Sequence, residues 1–228
     1  ESGLGDFGVR KQEDGRFFSI DILRTHSRRF TPYQYAGNNP LIFTDPTGKI
    51  IQFAEGVSEE FKQGYYEAVE YLIQSKTASK VLDYLENSEE VYTIAEGEIG
   101  DSKYSILSKT IVWNPKEAMI IVDNNENPVP ATENGKPIRP AQSAAIGLIH
   151  EMGHAFHDGT DLTAMLERSV TPDPNYDDKE ERKTITEIEN KVIKELNTET
   201  GRTQEVSRHN HKGKTYKATG PTTTNPEP

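Results

Sequence analysis

The feature that most restricts this chain is the run Ile146-Gly147-Leu148-Ile149-His150-Glu151-Met152-Gly153-His154-Ala155-Phe156, which sets two histidines and a glutamate inside an apolar stretch. The apolar flanks predict a buried helix over 142–158, ending at Gly159. Residues four apart on a helix stand one above the other, so His150 and His154 can reach the same point. That spacing suits zinc, which His binds at about 2.0–2.1 Å, and it turns Glu151 toward a water on the ion. Zinc lowers the pKa of such a water toward about 7, and a carboxylate can take its proton and later pass it to a leaving amine. These are the requirements of peptide hydrolysis. We therefore expect His150 and His154 to be metal ligands, Glu151 the general base and Zn2+ the cofactor. A partly exposed helix with incidental histidines is the bland alternative, and the apolar flanks weigh against it.

Catalytic zinc normally has three protein ligands and one open position. The chain has no cysteine, so the third ligand must be His, Asp or Glu. His157 lies seven residues from His150, about 10.5 Å along the axis, too far to share the ion, and is expected to be a solvated or helix-end residue. Asp161 follows Gly159-Thr160 but comes only seven residues after His154. A second helix is predicted over 177–197, with Ile185, Ile188, Val192, Ile193 and Leu196 on its apolar face. It carries Glu180, Glu181, Glu187 and Glu189, far enough downstream to turn and pack against the first helix. Glu181 is the expected third ligand, and Glu180, Glu187, Glu189 and Asp161 stay open as alternatives. A His or Tyr to stabilise the oxyanion is sought among His209, His211 and Tyr216.

Upstream, Ser58 is a fitting N-cap for a helix with Phe61, Tyr65, Val69, Leu72 and Ile73 at three- and four-residue steps, and Val81, Leu82 and Leu85 mark a shorter one. Three β-rich runs follow, around Val91-Tyr92-Thr93-Ile94, Thr110-Ile111-Val112-Trp113 and Ala118-Met119-Ile120-Ile121-Val122. The expected fold class is α+β and zincin-like: a small antiparallel sheet packed with the motif helix and a downstream acidic helix. The 118–122 run, or its neighbour around Trp113, is expected to form the edge of the substrate cleft. Residues 123–140 read as an irregular loop and 220–228, without an apolar anchor, as a disordered tail.

The net charge is −11, and residues 1–48 hold six basic against six acidic side chains, so the excess lies in 49–228, with 20 basic against 31 acidic. Nucleic-acid binders usually need a basic footprint, so a nuclease or DNA-binding role is disfavoured. No run approaches the roughly 20 apolar residues that a membrane span needs. Residue 1 is Glu rather than an initiator Met, so the chain reads as a piece of something longer.

Residues 1–48 read as aromatic strands and turns. Gly15-Arg16-Phe17-Phe18-Ser19-Ile20-Asp21, Thr31-Pro32-Tyr33-Gln34-Tyr35-Ala36-Gly37-Asn38-Asn39-Pro40 and Asp45-Pro46-Thr47-Gly48 resemble the end of the RHS-repeat-associated core. In that family a β shell precedes a variable C-terminal domain, commonly a toxin, which here would follow Gly48. The rest resembles the NleD-like effector metallopeptidases through Val112-Trp113-Asn114-Pro115, the stretch from Leu148 to His157, Glu180-Glu181, and Glu189-Asn190 followed by Gly201-Arg202. The spacing from Lys191 to Gly201 departs from that family. The resemblance implies a zinc endopeptidase, secreted or delivered into a target cell as part of a longer bacterial protein, with a protein substrate there and a cognate immunity protein as partner. It carries His150 and His154 over as ligands and Glu151 as base. The expected divisions are the RHS end at 1–48, the peptidase at 49–219 and the tail at 220–228. The alternative function is a catalytically silent zinc-binding or partner-binding module, against which the intact Glu151 argues.

Overall fold

The computed structural model describes residues 51–201 and 205–227, together with a short antiparallel pairing of Leu4–Gly5 with Gly8–Val9. The other expectations for residues 1–48, and Arg202, lie outside the described residues.

Strand β1 (Ile51–Phe53) leads into α1 (Glu59–Leu72), where the Ser58 hydroxyl accepts from Phe61 N at 3.0 Å and Glu59 and Glu60 occupy the first turn. An oxygen cap and early acidic residues answer the unpaired N–H groups and the positive end of the helix dipole. Helix α2 (Lys76–Glu86) starts the same way at Ser75, which accepts from Ala78 N at 3.1 Å. The chain then returns as β2 (Tyr92–Glu96), parallel to β1 with Ile51 opposite Tyr92.

Next come β3 (Lys103–Ser105) and β4 (Thr110–Trp113), an antiparallel pair, with β4 also parallel to β2. The sheet order is β1-β2-β4-β3. This corrects the expected single antiparallel sheet. Parallel neighbours need a connection of a dozen or more residues, which α1 with α2 supplies once and residues 97–109 supply again. The third β-rich run joins a different sheet, because β5 (Glu117–Ile121) lies between β6 (Ala141–Gln142) and β7 (Gly213–Lys217), antiparallel to both. Both β4 and β5 are therefore paired on each side, and neither offers the open cleft edge expected of them. Among the described residues the first sheet ends in β1 on one side and β3 on the other.

Helix α3 (Ala144–Ser169) packs on this core. Leu148, Ile149 and Ile146 meet Phe61, Leu82, Tyr92 and Ile111, all under 2% exposed, and Trp113 Nε1 donates to Ala144 O at 2.8 Å. Side chains so buried contribute roughly 1.5–3 kcal/mol each. The helix does not stop at Gly159. A Cβ there would stand 2.7 Å from the hydroxyls of both Tyr84 and Tyr92, so this glycine serves close packing. The break comes at Asp161 (φ −161, ψ 78), whose Oδ1 accepts from Ala164 N at 3.0 Å and caps the continuation.

The downstream acidic run forms α4 (Lys179–Thr184), a π-helical turn (Ile185–Glu189) and α5 (Asn190–Thr200). Asp178 caps α4 by accepting from Glu180 N and Glu181 N at 2.8 and 2.9 Å. It lies hard against α3 at Gly153, where a Cβ would meet Thr184 Cγ2 at 2.9 Å and Ile188 Cδ1 at 3.1 Å. An alanine there would push the acidic helix away from the histidines. Residues 220–227, expected to be disordered, fold back instead. Pro221 is buried, its carbonyl accepts from Ala145 N at 2.8 Å, and Tyr216 donates to Thr224 O at 2.6 Å. Backbone pairing supplies the anchor that the apolar pattern lacked. Among the described residues no helix is long and apolar enough to cross a membrane.

Candidate metal centre

His150 and His154 project from one face of α3 toward Glu181 of α4. His150 Nε2 and His154 Nε2 are 3.2 Å apart, Glu181 Oε2 is 3.1 Å from the former and Glu181 Oε1 is 3.3 Å from the latter. Three ligands held about 2.0–2.1 Å from a tetrahedral ion would be about 3.3–3.4 Å apart. These three residues are also the group among the described residues that could hold a metal ion. Glu181 Oε2 is buried and has no hydrogen-bond partner, its near neighbours being the His150 and His211 Nε2 atoms at 3.1 and 3.2 Å. A buried acceptor left so costs about 1–3 kcal/mol, and more for a charged one, which a cation between it and the imidazoles would offset. The donor set, two imidazoles and a carboxylate, is one that zinc accepts.

The opposite ring nitrogens are held from behind. His150 Nδ1 lies 3.0 Å from Glu189 Oε2, and Glu189, fully buried, accepts from Arg208 NH2 at 2.6 Å and from Gln142 Nε2 at 2.8 Å. Asn190 grips the Arg208 backbone at both its N–H and its carbonyl. Behind His154, the Nδ1 atom stands 3.5 Å from Glu180 Oε1 and 3.3 Å from Thr184 Oγ1. Glu180 is held in turn by His157 Nδ1 at 2.5 Å and Arg168 Nε at 2.6 Å. Carboxylates bonded to Nδ1–H fix the tautomer that presents Nε2 lone pairs to a metal.

The electrostatics record the same demand for positive charge. Burial alone would lower both imidazole pKa values, but the adjacent Glu181 and Glu189 carboxylates leave His150 raised, and Glu180 and Glu181 take His154 to about 10. Burial likewise opposes ionisation of Glu189, yet the Arg208 charge and His150 hold it at about 2. The histidines and Arg168 hold Glu180 well below the usual carboxylate range, and the two motif histidines do the same for Glu181.

A cavity of about 280 Å³ opens beside the cluster, lined by Glu151, His211, Glu181 and Tyr104 among others. Tyr104 belongs to β3, so this edge strand flanks the cavity. Its hydroxyl and Lys109 Nζ are both held by the buried Asp158. His211 stacks on His150, with ring centroids 5.9 Å apart and an interplanar angle of 18°. Its Nε2 faces Glu181 Oε2 at 3.2 Å and its Nδ1 meets Asp177 Oδ2 at 2.6 Å.

The other sequence candidates fall elsewhere. Glu180 and Glu189 brace ring nitrogens from behind, Glu187 is exposed and pairs with Lys183, and Asp161 is a capping residue at the kink. His157 is buried on Glu180, not solvated, because α4 crosses α3 at that level. His209 is exposed, and Tyr216 lies on β7, bonded to Thr224. Sequence reasoning passed over Arg208, Gln142 and Asp158. Arg208 sits in a polar segment without periodicity, and only a buried Glu189 requiring a cation could have pointed to it.

Residues 50–210 match the model of the Peptidase_M91 family, described as an effector protein. No curated protein and no solved structure matches this chain.

Proposed function

Because the chain belongs to the Peptidase_M91 family of effector proteins, and so is a peptidase with a protein substrate, we propose that it is a zinc-dependent endopeptidase. The observation that carries this reading is the tetrahedral-edge spacing of His150, His154 and Glu181 beside a cavity that Glu151 also lines. When bound, zinc supplies an acidified water and a Lewis acid for the scissile carbonyl.

The protein residues then divide the remaining work. Glu151 takes the proton of the attacking water and delivers it to the departing amine. His211, held by Asp177, lines the same cavity and offers a hydrogen bond to the oxygen that gains charge. The outer edge of β3, which pairs with no strand among the described residues, adds an extended substrate segment as a further strand, the role first assigned to the 118–122 run or its neighbour around Trp113. Tyr104 is held on Asp158 at that edge and so shapes its floor.

The delivered setting completes the proposal. The family match begins at residue 50, close to the end of the RHS-like signature at Gly48. This supports reading 1–48 as the end of an RHS shell and the remainder as its toxin, released into a target cell and held in check by an immunity protein. Activity on a denatured protein substrate tests the enzymatic claim. It should vanish on chelation and return when zinc is restored. Cleavage that survives complete removal of metal would overturn it.

A further inference from the structure

A second and larger cavity, about 480 Å³, is lined by none of the residues that line the first, though both touch the motif helix. Five cationic side chains line it, namely Lys76, Lys80, Arg168, Lys183 and Lys191, contributed by α2, α3, α4 and α5. Asp161 and Glu187 are its acidic residues. The cavity is thus cationic on a chain whose net charge is −11.

Lys76, Lys80 and Lys191 are exposed, so water screens their mutual repulsion, but their convergence on one concavity leaves a local field that favours an anion. Internal partners neutralise these cations only in part. Lys183 meets Glu187 at 3.2 Å and Arg168 meets Glu180 at 2.6 Å, while Lys80 lies over the Phe156 ring at 5.6 Å. Among the described residues Lys76, Lys80 and Lys191 form no salt bridge. The helix-end donors of α2 are not the attraction, because Glu195 already accepts from Thr77 N at 2.9 Å. Val81, Phe156 and Ile188 form an apolar wall. A cavity of this size, part apolar with convergent charges, is of the kind that holds small ligands.

We propose that this cavity is a binding site for a small molecule bearing two or more phosphate groups. Lysines from three helices surround a multiply charged anion, Arg168 contributes its free guanidinium nitrogens, and the Phe156 wall packs any organic portion. Arg168 and His157 both reach Glu180, so the occupant sits one residue away from the brace of His154.

The test is titration calorimetry on the whole protein with inorganic tripolyphosphate and, separately, ATP, both without magnesium, comparing the native chain with K80Q/K191Q. Saturable one-to-one binding that weakens roughly tenfold or more in the variant supports the site. Tighter binding of ATP than of tripolyphosphate assigns the apolar wall to an organic group, and the reverse assigns the site to inorganic polyphosphate. Chelation of metal by either probe is independent of Lys80 and Lys191, so equal heats from both proteins would overturn the proposal, as would equal binding of a hexaglutamate peptide. Should K80Q/K191Q melt early, K76Q/K183Q serves as the second variant on the same criterion.

Discussion

The two motif imidazoles face the same point, yet the regions behind them are built differently. Behind His150, Glu189 is sealed in the interior with Gln142 from a sheet strand and Arg208 from a segment almost 60 residues downstream of His150. Behind His154, Glu180 comes from the helix that also supplies Glu181, and its second partner Arg168 is partly exposed. The first brace is closed and fully charge-compensated. The second is shared among two histidines and an arginine and borders a cationic cavity. Loss of a partner should therefore cost stability on the His150 side and mainly tune metal affinity on the His154 side.

The largest effect belongs to the residue that neither region holds. Glu151→Gln should lose about 10²–10⁴-fold in peptide hydrolysis while keeping its metal, since proton transfer and not ligation is removed. A variant with native turnover would break the assignment. Arg208→Met comes next, because it leaves the Glu189 carboxylate buried and unpaired at a cost of about 3–5 kcal/mol, read as a fall in the urea midpoint of the metal-free protein. Adding Glu189→Leu should recover much of that loss. If Arg208→Met is no more costly than Arg168→Met, the contrast between the two regions fails.

Glu205 sharpens the comparison further. It is as buried as Glu189, but its partners are the Ser143 N–H and hydroxyl at 2.8 and 2.6 Å and the Tyr71 hydroxyl, without a cation. Burial raises its pKa from 4.5 to about 7. Below pH 4.5 both folded and unfolded chains hold this proton and the stabilisation is complete. As pH rises to about 7 the unfolded chain releases the proton first, so stability falls, by on the order of 2–3 kcal/mol. Glu189, held at about 2, acts in the opposite sense, its contribution being lost as pH falls from 4.5 toward 2. Denaturation of the native chain and Glu205→Gln across pH 4.5–7.5 should show a slope that the variant lacks; parallel curves would refute it. The smallest effect is at Glu180→Gln, with metal affinity down about tenfold and little change in folding.

The motif helix, its apolar flanks and the capped helices at Ser58 and Ser75 were legible because each is a local pattern of period 3.6 with a defined start. Glu181 was legible only as one carboxylate of several, since the choice depends on how α4 crosses α3, and Gly153 with the π-helical turn sets that crossing. The sheet was misread. Pairing order is decided by connections, and Lys103–Ser105, three residues without apolar alternation, gave no sign that it would be an edge strand beside the site. Arg208 was hidden in a polar segment, where function depends on contacts that span the chain, and His211 of the same segment stood only as one of three oxyanion candidates.

Elemental analysis of gel-filtered protein tests the central claim most directly, that His150, His154 and Glu181 act together on one ion. The native chain should carry about one zinc and His154→Ala essentially none, because two ligands of three do not retain it. Stoichiometric zinc in His154→Ala would contradict the assignment of the site.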